Sequence, residues 1–170
     1  MATSRDAGPL ADRPPRVPVH GGRVWAFTDD LRAADLLPLR FATLSPVDTV
    51  RRLFADLDTH LASQITPGDV LVAGHHLGCG GGGTAAAAAL RAAGIGAAVA
   101  ASFAPGFDEA LFALDVPALA VDAPAIFRTG QHVRINIEAG TIANLSSGDR
   151  QPIRNLTDAL LERLRARVGQ

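Results

Sequence analysis

The chain has 170 residues, of which 48% are apolar and 19% are charged, and its formal net charge at pH 7 is -1. These values are typical of a globular protein with one hydrophobic core, and they exclude a disordered chain and a polycation that binds nucleic acid or anionic membrane through net charge alone. No apolar run in the sequence reaches the length of a membrane-spanning helix.

The amino-terminal stretch, residues 1–19, is polar and rich in proline and lacks the apolar segment of a secretory signal. We therefore expect a disordered tail over 1–19, a single domain over 20–170 and a cytoplasmic protein. The single cysteine, Cys79, excludes an internal disulfide and a self-contained iron–sulfur site. The sequence also lacks lysine and tyrosine, so catalysis by this chain alone must use Asp, Glu, His, Cys, Ser, Thr or Arg.

The first third of the domain begins with an alternating pattern. Residues 22–27 (GRVWAF) predict a first strand, and residues 29–41 predict a loop and turn in which Pro38 stops any helix. Residues 45–62 (SPVDTVRRLFADLDTHLA) predict an amphipathic helix, because Ser45 is a good N-cap and apolar residues recur on one face.

The middle of the chain has the pattern of a βαβαβ layer, in which apolar strands alternate with helices. The predicted elements are a strand within 66–74 (TPGDVLVAG), a helix over 84–94 (TAAAAALRAAG), a strand over 97–103 (AAVAASF), a short helix over 106–114 (GFDEALFAL) and a strand over 117–122 (PALAVD).

The last third changes character. Residues 132–153 (HVRINIEAGTIANLSSGDRQPI) alternate polar and apolar types around two turn signals, which predicts antiparallel strands. Residues 155–169 (NLTDALLERLRARVG) predict a closing helix with leucines on one side. The predicted class is therefore α/β, with a central βαβ unit and a β-rich carboxyl-terminal part closed by a helix.

A glycine run, residues 78–83 (GCGGGG), connects the second predicted strand to the alanine-rich helix. Gly78, Gly80 and Gly83 satisfy the spacing of a dinucleotide-binding loop, in which glycines let the backbone approach a pyrophosphate at a helix N-terminus. The acidic residue expected about 20 residues later is absent, however. A nucleotide-binding module and a purely structural loop, whose glycines supply positive φ, both remain open at this point.

Three stretches together resemble a known family, the small subunit of 3-isopropylmalate dehydratase, which is the separate swivel domain of the aconitase superfamily. They are 22–41 (GRVWAFTDDLRAADLLPLRF), 67–107 (PGDVLVAGHHLGCGGGGTAAAAALRAAGIGAAVAASFAPGF) and 133–149 (VRINIEAGTIANLSSGD). The resemblance implies a swivelling β/β/α domain that caps a large partner subunit. It also implies a [4Fe–4S] cluster on the partner's own cysteines, no cofactor in this chain, and loss and re-addition of water on a small hydroxy acid.

The glycine loop departs from the family pattern. The family continues Gly-Ser-Ser-Arg-Glu, and the matching positions here are Gly80, Gly81, Gly82, Gly83 and Thr84. The resemblance therefore implies that the serine acting as base and the arginine binding the substrate carboxylate are both absent. Loss of a positioned proton-transfer group alone costs a factor of roughly 10²–10⁴ in rate.

Two functions fit these observations. The first is a dehydratase subunit with an altered substrate or mechanism; its candidate catalytic residues are His75, His76, Cys79 and Asp29, and its candidate substrate contacts are Gly80, Gly81, Gly82, Gly83, Thr84 and Asp30. The second is a catalytically silent swivel that serves assembly. Each candidate also has a structural interpretation: the histidines as a strand-end pair, the thiol as a small buried filler and the aspartates as turn caps.

Overall fold

Seven strands form one mixed sheet in the computed structural model, which describes residues 20–168. The sheet order is β4-β3-β2-β1-β5-β6-β7. The strands are β1 (His20–Ala26), β2 (Val70–Ala73), β3 (Ala97–Ala100), β4 (Ala118–Ala120), β5 (His132–Asn136), β6 (Thr141–Asn144) and β7 (Arg150–Pro152). The helices are α1 (Ala33–Leu36), α2 (Pro46–Thr49), α3 (Gly83–Ala92), α4 (Phe107–Ala113) and α5 (Asp158–Val168). The tail predicted over 1–19 lies outside the described residues.

The sheet has a parallel half and an antiparallel half that meet at β1. Strands β1 to β4 run parallel, and β5 pairs antiparallel with β1 on its other side. Strands β2 and β3 are buried along their whole length, as expected for a parallel sheet covered on both faces. Strand β5 instead alternates buried Val133 and Ile135 with exposed neighbours. The predicted α/β class with a β-rich end is confirmed.

Each face of the sheet carries its own apolar layer. On one face, α1, α3 and α4 pack on the parallel strands through buried alanines and leucines, among them Ala86, Leu90 and Leu111. On the other face, the leucines of α5 pack on a cluster that includes Val99 and Ile135. No helix in the described part is long and apolar enough to cross a membrane.

The prediction of a long amphipathic helix over 45–62 is wrong. Ser45 caps a helix as expected, since its Oγ accepts the N–H of Asp48, but α2 ends after one turn. Leu53 is extended (φ -58°, ψ 134°) and Phe54 has a φ of 59°. This break buries both side chains to 1% exposure and stacks Phe54 on Phe27, with ring centroids 4.9 Å apart. Burial of two consecutive side chains outweighs the helical pattern.

The remaining predicted elements are confirmed. Every strand and helix predicted between residues 66 and 122 is present, as are the three antiparallel strands and α5. The loop predicted over 29–41 contains the single turn of α1 and a 3-10 turn at Leu39–Phe41, with Pro38 between them. Gly94 ends α3 with a φ of 85°, as its place after the helix predicted.

Candidate functional site

The carboxyl ends of β1, β2 and β3 bring three polar segments to one edge of the sheet. Asp29 and Asp30 follow β1, His75 and His76 follow β2, and Ser102 follows β3. Adjacent parallel strands end at the same edge, where open α/β sheets usually bind their ligands. The structure thus brings the predicted aspartates and histidines together, and it adds Ser102, which the sequence interpretation missed although it directly follows a predicted buried strand.

Asp29 joins the end of β1 to the end of β2. Its Oδ1 accepts the main-chain N–H of His75 at 2.7 Å, and the N–H of Asp30 donates to the carbonyl of His75 at 2.8 Å. A Cβ at Gly74 would overlap the Asp29 carboxylate, so only glycine fits there. Asp29 therefore holds the two loops together, which is the turn-capping role considered from the sequence.

His76 carries an oriented and accessible imidazole. Its φ is 61°, its main-chain N–H donates to Ser102 Oγ at 2.9 Å, and its Nδ1 lies 2.9 Å from Asp30 Oδ1. A carboxylate only accepts hydrogen bonds, so Nδ1 carries the proton and the lone pair of the neutral ring lies on Nε2. The His76 side chain is 66% exposed. The arrangement leaves Nε2 available as a base at the open edge of the sheet.

His75 is exposed as well but is less firmly held. Its Nδ1 lies 3.5 Å from Ser102 Oγ, and its ring centroid lies 6.0 Å from that of His76 with the planes tilted by 49°. The sequence interpretation allowed for one packed and one solvated ring, whereas both are exposed. Of the two rings, only that of His76 contacts a carboxylate among residues 20–168.

Three glycines of the loop adopt the left-handed conformation, with φ values of 86° at Gly78, 81° at Gly80 and 92° at Gly82. A Cβ at Gly78 would overlap the ring of Phe107, and one at Gly82 would lie 2.7 Å from Leu39 Cδ2. A Cβ at Gly80 or Gly81 would meet nothing within 4 Å. Gly78 is thus required by packing and by backbone conformation and Gly82 by backbone conformation, while the space beside Gly80 and Gly81 is open.

The start of α3 presents unpaired main-chain donors. Within the described residues, no acceptor lies within hydrogen-bonding distance of the N–H groups of residues 80–85, and the first N–H bonded in this region is that of Ala86, to the carbonyl of Gly82. Gly80, Gly81 and Thr84 are exposed. Free N–H groups and the positive end of the helix dipole together favour an anion.

Two arginines lie near this edge, and each is paired with a carboxylate. Arg32 binds Asp35 at 2.9 Å, and this hydrogen bond lowers the pKa of Asp35. Arg154 lies 3.0 Å from Asp122 and donates to the carbonyl of Ala101 at 2.5 Å. The sequence interpretation missed Arg154, because it follows β7 and only the folded sheet brings it beside the ends of β3 and β4.

Cys79 contributes little to the open edge. The residue is half-buried and packs against the apolar cluster on the helix side of the sheet. Its carbonyl accepts the N–H of Ala33 at 2.9 Å, which ties the glycine loop to α1. The buried-filler interpretation of the thiol therefore holds only in part, since the residue is not fully buried. Among the described residues, no three His, Cys, Asp or Glu side chains lie close enough to hold a metal ion.

Comparison with proteins of known sequence identifies relatives along most of the chain, although no family model matches it. The chain is 32% identical over 149 residues to the 3-isopropylmalate dehydratase small subunit 1 of Methanopyrus kandleri, covering 85% of this chain and 86% of the relative. It is 31% identical to the methanogen homoaconitase small subunit of Methanothermobacter thermautotrophicus, covering 82% of each.

Solved structures agree with the sequence relatives. The 3-isopropylmalate dehydratase structure from Methanocaldococcus jannaschii superposes with a TM-score of 0.80 at 25% identity, covering 88% of this chain and 89% of that one. Aconitase X from Thermococcus kodakaraensis superposes with a TM-score of 0.52 at 18% identity, which is a likeness of fold alone.

Proposed function

The chain belongs to the 3-isopropylmalate dehydratase small-subunit family of the aconitase superfamily, and from this premise we propose that it works in a hydro-lyase with an altered substrate or an altered proton-transfer group. The proposed substrate is a small hydroxy acid, because the relatives are named as small subunits of 3-isopropylmalate dehydratase and of homoaconitase. The reaction removes and re-adds water. The glycine loop departs from the sequence that the family resemblance implies, and this departure supports an altered substrate or an altered proton-transfer group.

The proposed complex contains a large subunit, since the relatives are named as small subunits. We assign the [4Fe–4S] cluster that the family implies to that partner. The lone thiol of this chain packs against the apolar core, and the described residues bring no three potential ligands together, so they do not fit the cluster.

The His76–Asp30 pair is the observation that carries the proposal. In the dehydration direction, His76 Nε2 takes the proton from the carbon next to the substrate carboxylate, and the electron pair of that C–H bond forms the new C=C bond. The hydroxyl group leaves the neighbouring carbon as hydroxide, and the cluster assigned to the partner would supply, when bound, the Lewis acid that this departure needs. The new imidazolium is stabilised by Asp30, 2.9 Å from Nδ1. In the hydration direction the same nitrogen returns the proton. Imidazole is suited to this exchange because one ring nitrogen can accept a proton while the other donates to a carboxylate.

The glycine loop is proposed to bind the substrate carboxylate through main-chain donors. The N–H groups of residues 80–85 form no hydrogen bond within the part of the chain that the structure describes, and the Thr84 hydroxyl adds a side-chain donor beside them. A Cβ at Gly80 or Gly81 would meet nothing within 4 Å, so the substrate has room there, and Gly81 is one of the two positions where the resemblance implies a family serine. Main-chain amides would thus replace the family arginine in binding the anion.

The test is His76→Asn in the complex reconstituted with the purified large subunit of the same organism. Asparagine tolerates the φ of 61° at this position, so the fold is kept while the base is removed. We expect turnover of the hydroxy-acid substrate, followed by ultraviolet absorbance of the unsaturated product, to fall by roughly 10²–10⁴-fold. His75→Asn is the matched control and should retain turnover within about tenfold, because that ring lacks a carboxylate partner.

A catalytically silent swivel is the competing function. It predicts the same large-subunit partner, but turnover by the complex would then be the same for the wild-type chain and the His76→Asn variant. The loss of side chains from the glycine loop favours this alternative, which is why the readout must be turnover and not binding.

A further inference from the structure

Exposed apolar side chains are concentrated in one segment beside the candidate site. Among the described residues, five large apolar side chains are exposed: Leu39 (58%), Leu44 (40%), Val47 (78%), Leu57 (50%) and Leu145 (53%). All but Leu145 lie between residues 39 and 57, which we call the 39–57 surface. Soluble proteins scatter such residues singly, so their concentration in a stretch of 19 residues requires an explanation.

The 39–57 surface is held by specific contacts. Arg40 and Asp56 form a two-point ion pair, at 3.0 and 2.7 Å, which brings the two ends of the segment side by side. The guanidinium groups of Arg40 and Arg52 lie 4.6 and 5.1 Å from the ring centroid of Phe41. Buried Phe54 anchors the segment to the core. The exposed leucines and valine are therefore presented by an ordered scaffold.

The 39–57 surface borders the glycine loop. Leu39 Cδ2 lies 2.7 Å from the position that a Cβ at Gly82 would take, and α1 is tied to Cys79 through the main chain. On the other side, His76 and Asp30 are open to solvent, with exposures of 66% and 70%. A proton-transfer site works best when water is excluded. In this chain, however, the edge that carries His76 and Asp30 is open to water.

We propose that the 39–57 surface is the docking site for the large subunit, so that docking covers the open edge of the sheet. This inference rests on the proposed function, and it names the surface that the partner contacts. The partner patch should be apolar opposite Val47 and Leu57. It should carry carboxylates opposite Arg51 and Arg52, because neither arginine forms an ion pair with an acidic residue of the described part.

The test measures the affinity of the purified large subunit for this chain and its variants by biolayer interferometry. Val47→Asp and Leu57→Asp place a charge in the proposed apolar contact, and each should weaken binding at least tenfold. Leu145→Asp is the matched control, because Leu145 is equally exposed but follows β6, in the antiparallel half; it should bind within about twofold of wild type. Leu57→Gln replaces Leu57→Asp if circular dichroism shows that the charged variant is unfolded.

The arginines provide a second, independent readout. Arg51→Glu together with Arg52→Glu should slow association by about tenfold at low salt, and this difference should shrink at high salt. Wild-type affinity in the folded Val47 and Leu57 variants would overturn the docking site while leaving the proposed function intact. Failure of the wild-type chain to bind the large subunit at all would overturn both. His76→Asn should bind as wild type, which separates docking from proton transfer.

Discussion

Two polar clusters, each built on an aspartate, lie at opposite ends of β2. At its amino end, Asp69 is only 4% exposed at its side chain, and it accepts hydrogen bonds from Trp25 Nε1 at 2.7 Å and Thr66 N at 2.9 Å. At its carboxyl end, Asp30 is 70% exposed and accepts one hydrogen bond, from His76.

The difference in exposure and hydrogen bonding distinguishes a carboxylate that stabilises the fold, Asp69, from one that can take part in chemistry, Asp30. Both carboxylate oxygens of Asp69 accept hydrogen bonds from Trp25, Thr66 or Arg23, so neither oxygen is available to bind a ligand. At the other end, Asp30 orients a histidine whose second nitrogen has no acceptor or donor among the described residues. A polar cluster at a strand end is therefore a candidate ligand site when some of its hydrogen-bonding groups have no partner. When all of these groups have partners, the cluster stabilises the fold.

The largest expected effect is a loss of stability when the hydrogen-bonded cluster around Asp69 is broken. Asp69→Ala leaves the buried donors of Trp25 and Thr66 without an acceptor, and we expect the free energy of unfolding to fall by about 3–5 kcal/mol. Asp30→Asn, at the exposed cluster, should change it by less than about 0.5 kcal/mol. Urea unfolding followed by circular dichroism measures both. Equal losses in the two variants would contradict the distinction.

A smaller effect distinguishes two glycines of the same loop. Gly78→Ala must place a Cβ into the Phe107 ring at a φ of 86°, so the free energy of unfolding should fall by about 2–4 kcal/mol. Gly81→Ala meets nothing within 4 Å and should leave stability within about 1 kcal/mol. Thermal unfolding of both variants tests this. If Gly81→Ala is as damaging as Gly78→Ala, the space beside Gly81 is not open.

The smallest effect is the pH dependence of stability contributed by Asp69. Burial raises the pKa of Asp69, but hydrogen bonds from Thr66, Trp25 and Arg23 outweigh it and hold the pKa below its ordinary value. The contribution is therefore fully present above the unfolded-state pKa of about 3.9 and is lost as the pH falls through the lower folded-state pKa. The urea midpoint should drop between pH 5 and pH 3 by more in wild type than in Asp69→Asn, and parallel pH profiles would assign the acid sensitivity to other groups.

The parallel half of the fold was predictable because its signals are local. Strands such as Val70–Ala73 are apolar throughout, and α3 is a run of alanines with Gly94 after its end. The segment from 45 to 62 misled the prediction because its apolar spacing also suits a helix. There, tertiary packing of Phe54 on Phe27 decided the backbone.

Of the candidate site, the sequence predicted which strand ends carry polar groups but not how those groups pair. Residues 29, 30, 75 and 76 follow predicted strands, so their meeting at one edge was foreseeable once the strands were taken as parallel. The roles were not: Asp29 and Asp30 are neighbours with equal chemistry, yet one binds the main chain and the other binds an imidazole. That choice depends on left-handed backbone at Asp30 and His76.

The α/β class, the glycine run ahead of an alanine helix and the family resemblance could be predicted from the sequence, because they depend on periodicity and on residue order. The sequence did not reveal that Ser102 and Arg154 join the edge, that Cys79 packs partly against the core or that the leucines of the 39–57 surface stay exposed. The physical reason is that a side chain's surroundings are set by segments distant along the chain, and contacts between such segments leave no local pattern in the sequence.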